Sequence, residues 1–177
     1  MPSCHTPLAE AEAFAELYQH AHLVVFRYIY GLNGGPQQEV EDLTAETFIR
    51  AWKARQRFEG DENAAISWLL RIARNLVIDA HRRTKVRGVE ADLKDALLIA
   101  PEASPEEQVA LHEQFNALWV LISTLQPQHR EMIVLRYILG WPVKRIAAHL
   151  DMLENTTSVN LRRILQRMQR DWPDDYM

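Results

Sequence analysis

Apolar residues recur every three or four positions along most of this chain, a spacing that only helices bury efficiently. Glycine is scarce, at 6 of 177 residues, and strict apolar/polar alternation is nearly absent. In "AFAELYQHAHLVVFRYIY", Phe14, Leu17, Tyr18, Ala21, Val25, Tyr28 and Ile29 share one stripe, which Gly31, Gly34, Gly35 and Pro36 close. A second helix runs through "EVEDLTAETFIRAWKAR", with Val40, Leu43, Thr47, Phe48 and Ala51 inward, and "FEGDENAA" breaks it. Ser67 is placed to cap a third helix, "WLLRIARNLVIDAHRR", through its hydroxyl. Around "PEASPEE" the apolar stripe lapses, as in an extended linker. Helix resumes at "EQVALHEQFNALWVLISTL" and "QHREMIVLRYIL", the latter stopping at Gly140. "VKRIAAHL", with Ile146, Ala147 and Leu150 inward, precedes a last helix within "LENTTSVNLRRILQRMQR". The predicted fold is all-α: helical domains at 1–88 and 108–177, joined by an acidic flexible linker at 89–107, the second containing a helix-turn-helix.

Charge is segregated along the same lines. The net charge of −4 conceals a block at 45–88 with ten Lys or Arg against five acids, and one at 89–121 with seven acids against Lys94. Residues 1–44 are acidic, and 122–177 are mildly basic. Two basic blocks separated by an acidic one suit two meetings with polyanions; solvated helix faces are the plainer alternative.

The faces opposite the apolar stripes carry the chemistry. On the third helix Leu69, Ile72, Ala73, Leu76, Val77 and Ala80 point inward, leaving Trp68, Arg71, Arg74, Asn75, Ile78, Asp79 and Arg82 outside. Arginine holds phosphate, a flat ring stacks on an unpaired base, and Asn bonds a base edge. The alternative is an ordinary basic helix whose Trp68 packs under the preceding loop. On the second helix Asp42, Ala45, Glu46, Ile49 and Lys53 face out, an isoleucine ringed by charge as in a protein contact. The last helix has Thr157, Leu161, Ile164, Leu165 and Met168 inward, with Ser158, Val159, Arg162, Arg163, Gln166 and Arg170 outward. Its leading residues, Thr156 to Asn160, are positioned to reach base edges but carry no cation; Arg162 and Arg163 follow one to two turns later. A helical hairpin that binds no DNA fits the same pattern.

Other classes find little support. A single cysteine, Cys4, excludes an internal disulfide framework. No apolar run approaches the roughly 20 residues of a membrane span, and no secretion signal opens the chain, so a cytoplasmic protein without membrane insertion is expected. His20 and His22 are two apart on a helix and face different ways, while His81, His112, His129 and His149 show no carboxylate partner in a credible cleft. There is no Gly-rich phosphate loop and no nucleophile elbow. No enzyme, metal or cofactor is expected, and the pair Asp42 and Glu46 suits a basic partner better than acid–base work.

"EDLTAETFIRAW", "RFEGD" and "SWLLRIARNLVIDAHRR" together resemble the second conserved region of bacterial extracytoplasmic-function (ECF) sigma factors. "LQPQHREMIVLRYILGWPVKRIAAHL" and the helix after it resemble the fourth. The resemblance implies an initiation factor that binds core RNA polymerase and directs it to promoter DNA. It implies that Asp42, Glu46, Ile49, Arg50 and Lys53 face a coiled coil of the largest polymerase subunit. It assigns Asp61, Asn63, Trp68, Arg71, Arg74, Asn75, Asp79, Arg82 and Arg83 to the melted −10 element. It assigns Lys144, Arg145, Thr156, Ser158, Val159, Arg162, Arg163 and Gln166 to the duplex −35 element, with the same domain docking on the polymerase flap. The family's linker threads toward the RNA channel, where an acidic tether mimics a nucleic-acid strand. An anti-sigma factor is a further candidate partner.

This chain departs from the family pattern in four places. The loop "ENAAIS" lacks the usual aromatic and is one residue longer, and Ser158 and Asn160 stand where a base is usual. Asp151 replaces the glycine of the turn, and "DWPDDYM" adds acid beside the DNA-facing surface. With six bases against Asp151 and Glu154, the last two helices promise little affinity for DNA alone, so tethering by polymerase is expected to supply the rest. Two other readings stay open: a regulator that binds duplex DNA without polymerase, and a polymerase-binding protein without promoter reading.

Overall fold

A computed structural model of the chain describes residues 8–87 and 117–172, with side chains described to residue 83 in the first stretch. The expected linker at 89–107, Cys4 and the tail from Pro173 lie outside the described residues. The chain divides into two compact units, Met1–Ala91 and Asp92–Met177. Every regular element among the described residues is helical.

In the first unit α1 (Ala11–Asn33), α2 (Gln37–Ala54) and α3 (Glu62–Arg87) pack against one another, each touching the other two. α1 buries Phe14, Leu17, Ala21, Val25, Tyr28 and Ile29. Tyr18, expected on that stripe, is 44% exposed and sets its ring edge-on to Phe48 at 4.8 Å. Gly31 lies inside α1 rather than after it; the helix ends at Gly34, which takes the left-handed conformation (φ 57°) and returns its N–H to the Tyr30 carbonyl. α2 buries Val40, Leu43, Thr44, Thr47, Phe48 and Ala51. Its two buried threonines satisfy their hydroxyls by donating to carbonyls four residues back, Thr44 to Val40 at 2.7 Å and Thr47 to Leu43 at 2.8 Å.

The start of α3 differs from expectation. Ser67 does not cap it: its hydroxyl donates to the Asn63 carbonyl at 3.0 Å, one turn inside the helix. The cap is Asp61, whose Oδ1 accepts the Ala64 N–H at 2.8 Å while its carbonyl accepts that of Ala65 at 2.9 Å. Residues 62–66, read from sequence as loop, are therefore the first turn of the helix. "RFEGD" thus works as a helix-entry device. Phe58 packs against Trp68, the rings tilted by 35° with centroids 5.0 Å apart. Gly60 fits beneath, where a Cβ would stand 2.8 Å from the Ala64 Cβ and 3.0 Å from the Phe58 ring.

In the second unit α4 (117–124 of the described residues) leads into α5 (Pro127–Ile133), which continues as a π-helical turn, Val134–Ile138. Pro127 sits at the first helical position, where its missing N–H costs nothing. Arg130 donates to the carbonyls of Ile122 and Ser123 at the end of α4, and partial burial lowers its pKa from the ordinary arginine value. The π-turn closes at Gly140 (φ 68°) and leaves Tyr137 and Ile138 exposed. α6 (Val143–His149) and α7 (Glu154–Arg170) form the helix-turn-helix. Asp151 takes φ 54° in the turn, the position where a glycine is easiest, and the Met152 N–H closes the turn on the Ala147 carbonyl at 2.9 Å.

His149 has a partner that sequence reading did not find. Its Nε2 lies 3.6 Å from Oε1 of Glu131, with both side chains almost completely buried, at 1% and 2% exposure. The His149 ring also meets Trp141 edge-on at 5.4 Å. One pair therefore fastens α6 to α5 inside the core. Removing one member of a buried polar pair is costly, and His149→Ala should lower the stability of the full chain by about 3–5 kcal/mol in urea unfolding. Asp61→Ala should cost about 1 kcal/mol through loss of the cap. Gly60→Ala should cost about 1–3 kcal/mol by overpacking against Phe58.

Candidate nucleic-acid and polymerase interfaces

Each unit is held by one face of its helices, so the opposite faces are the candidate sites. On α2 the outward residues Asp42, Ile49, Arg50 and Lys53 are exposed and Glu46 is half-buried. Arg50 Nε pairs with Glu46 Oε1 at 2.7 Å, and Asp42 accepts from Gln38 Nε2 at 3.2 Å. Ile49 is 47% exposed. Sequence reading missed Trp52, which is 38% exposed and lies three residues, nearly one turn, beyond Ile49. Its ring is fixed edge-on by Phe14 at 5.1 Å and covered by the Arg55 guanidinium at 3.4 Å. The i, i+3 spacing from Ile49 was the signal available for it. The face is an apolar spot of Ile and Trp in a mixed rim of charge, a composition typical of protein contacts.

On α3, Trp68, Arg71, Asn75, Asp79 and Arg82 recur at intervals of three and four and form one outward row. Arg71, Asn75, Asp79, Arg82 and Arg83 are exposed; Trp68 and Arg74 are half-buried. Trp68 does pack under the preceding segment, on Phe58, as the plainer reading held, and it still keeps part of its ring in solvent. Arg82 Nη1 approaches Asp79 Oδ1 at 3.9 Å, and Arg83 Nε donates to the Asp79 carbonyl at 3.3 Å. The inward face is wider than the spacing predicted: Leu70 is fully buried, while Ile72 and Ile78 are both half-buried. Asp61 is occupied as the helix cap, and Asn63 is exposed in the first turn. Beside this entry a half-open cleft is lined by Glu16, Leu17 and His20 of α1 together with Phe58, Asp61 and Glu62. None of the α1 residues was legible as part of a site, because the cleft joins segments about 40 residues apart in sequence.

On the helix-turn-helix, Lys144, Thr156, Ser158, Val159, Arg162, Arg163, Gln166 and Arg170 are all exposed. Arg145 is half-buried, with its guanidinium 3.8 Å from the centroid of the Trp141 ring. Two of the residues expected to reach base edges do not face out. Thr157 is fully buried, its hydroxyl donating to the Leu153 carbonyl at 3.1 Å, and Asn160 is half-buried. Arg167 is paired with Asp171 at 3.5 Å, so the first acid after α7 is directed at a cation of the helix.

Among the described residues, no group of three or more His, Cys, Asp or Glu side chains is arranged to hold a metal ion. Nor is any helix there long and apolar enough to cross a membrane.

The family model for Sigma-70 region 2 matches residues 17–87, and that for Sigma-70, region 4 matches residues 115–168. The ECF RNA polymerase sigma factor BldN of Streptomyces coelicolor is 34% identical over 168 residues, which cover 94% of this chain and 62% of that protein. The ECF RNA polymerase sigma factor SigL of Mycobacterium tuberculosis is 30% identical over 153 residues, 86% of this chain and 85% of its own length. Two solved structures share the fold. The sigma factor RpoE from Bartonella quintana, in complex with the anti-sigma factor NepR, superposes with TM-score 0.68 at 21% identity over 91% of this chain and 97% of that one. CnrH, in complex with the cytosolic domain of CnrY, gives TM-score 0.64 at 22% identity over 92% and 90%. With region 2 and region 4 matched in order on the two units, and SigL matched over most of its length, the chain belongs to the ECF sigma factors of bacterial RNA polymerase.

Proposed function

We propose that the outer face of α2 binds core RNA polymerase, the outward row of α3 engages the melted −10 strand, and α7 reads the duplex −35 element. The observation that carries this assignment is the pairing of faces: α3 and α7 each bury one stripe and present the opposite one, cation-bearing, to solvent. On α3 the row interleaves Arg71 and Arg82 with an amide, Asn75, and a partly exposed ring, Trp68, which suits single-stranded DNA. On α7 the exposed cations Arg162, Arg163 and Arg170 suit duplex phosphates and base edges. The cleft beside Asp61 is the place for a base drawn out of the stack, its Glu16 and Glu62 carboxylates accepting from an exocyclic amino group. Bond-making in RNA synthesis is the polymerase's.

An anti-sigma partner belongs to the same proposal; the Bartonella RpoE chain is described in complex with one. So do the domain limits 1–88 and 108–177 with an acidic tether between them, and residence in the cytoplasm, where core polymerase is found.

The experiment is reconstitution with core polymerase, followed by core binding, promoter opening and run-off transcription on a genomic fragment library. New start sites are expected only when both components are present. Tight footprints without polymerase would favour a free-standing regulator, and core binding without new starts would favour an interaction protein. Ile49→Asp should weaken core binding by tenfold or more, since it sets a charge in a contact that must desolvate. Asn75→Ala combined with Arg82→Ala should reduce promoter opening by about thirtyfold, two lost contacts each of order 1 kcal/mol, and leave core binding unchanged.

A further inference from the structure

The leading turns of α7 have a surface unlike the rest of the helix. From Leu153 to Leu161 the one charged side chain is the acid Glu154, and the nearest cation on α7 is Arg162. Leu153 is 77% exposed and Val159 43% exposed, an aliphatic pair at the mouth of a helix that is otherwise polar outside. Asn155, Thr156 and Ser158 beside them are exposed and neutral. Leu153 is held in place rather than frayed: its carbonyl accepts both the backbone N–H of Thr157 at 3.0 Å and the Thr157 hydroxyl at 3.1 Å. Because Thr157 is fully buried, the Leu153 backbone is tied to the core of the unit while its side chain stands in solvent.

Guanine presents two acceptors in the major groove and is paired most strongly by Arg or Lys. No side chain of α7 before Arg162 is cationic, and Glu154 adds repulsion toward acceptors. An A·T pair offers what this surface can use: the thymine C5 methyl for an aliphatic side chain, and adenine N6 and N7 for the bidentate amide of Asn. We infer that the first two turns of α7 read A·T pairs in the −35 element, Leu153 and Val159 covering thymine methyls and Asn155 meeting adenine, while Arg162 and Arg163 grip guanine or phosphate further along. This deepens the assignment of α7 to the −35 element and rests on it.

The test uses holoenzyme reconstituted from the full chain and core polymerase. A promoter library randomised across the −35 region is selected by transcription, and each −35 thymine of the winning promoter is then replaced by deoxyuridine, which lacks only the methyl. Selection of A·T pairs at adjacent steps is expected. So is a loss of about fourfold in initiation for each contacted thymine replaced, the scale of one buried methyl group. Leu153→Ala and Val159→Ala, both at exposed positions, should lower initiation on the thymine promoter and abolish its sensitivity to deoxyuridine. Selection of G·C pairs at the steps meeting the leading turns, or full activity on deoxyuridine templates, would overturn the inference while leaving the −35 role intact. If no promoter emerges with core polymerase present, the −35 assignment itself falls, and the inference with it.

Discussion

The structure of the first unit depends on the burial of one face of α3. Leu69, Leu70, Ala73, Leu76, Val77 and Ala80 lose nearly all contact with solvent against α1 and α2. At roughly 25 cal/mol per Å² of apolar surface, that burial outweighs any single polar contact in a three-helix unit. Once that face is committed, helix geometry leaves no freedom over what the other presents. Arg71, Asn75, Asp79 and Arg82 must form a row because they sit half a turn of periodicity away from the core. The surface proposed for nucleic acid is in this sense a by-product of packing, and the entry device at Phe58, Gly60 and Asp61 sets where that row begins.

The second unit solves a harder problem, since α6 has only seven residues and cannot hold itself in place. It is fixed by contacts made elsewhere. His149 reaches Glu131 of α5, and the Trp141 ring is met edge-on by His149 and covered by Arg145. Arg145 therefore spends much of its side chain on packing, and Arg167 is paired with Asp171. The cations left outward on α7 are few, so the affinity expected for a phosphate backbone, which scales with the number of phosphates neutralised, is modest. That balance suits a DNA reader that is carried to its site by a larger assembly, where tethering raises local concentration.

Departures from the family pattern acquire physical meaning in this setting. Asp151 occupies the turn position where a glycine is usual and takes a left-handed conformation that aspartate tolerates better than most residues. The "ENAAIS" segment, read from sequence as a loop, forms the start of α3 under an aspartate cap. Ser158 and Asn160, where a base is usual, leave α7 with a neutral leading surface, which the exposed Val159 makes partly aliphatic.

The sequence by itself determined the all-helical class, the order of the two regions, and which side of α2, α3 and α7 faces solvent. The class and the solvent-facing sides follow from a period of 3.6 residues that any short window displays, and the order of the regions from the motifs that resemble the family's second and fourth regions. Tertiary structure alone decided that Asp61 rather than Ser67 starts α3, that Trp68 leans on Phe58, that Glu16 and His20 join the cleft beside Asp61, and that Glu131 meets His149. Each of these is a choice among partners, and the pairs span up to 18 residues within the second unit and some 40 across the cleft of the first. Spacing carries no information about which helix will lie alongside another. Only the packed core, by bringing separated segments within a few ångströms, selects one partner among several that local chemistry allows.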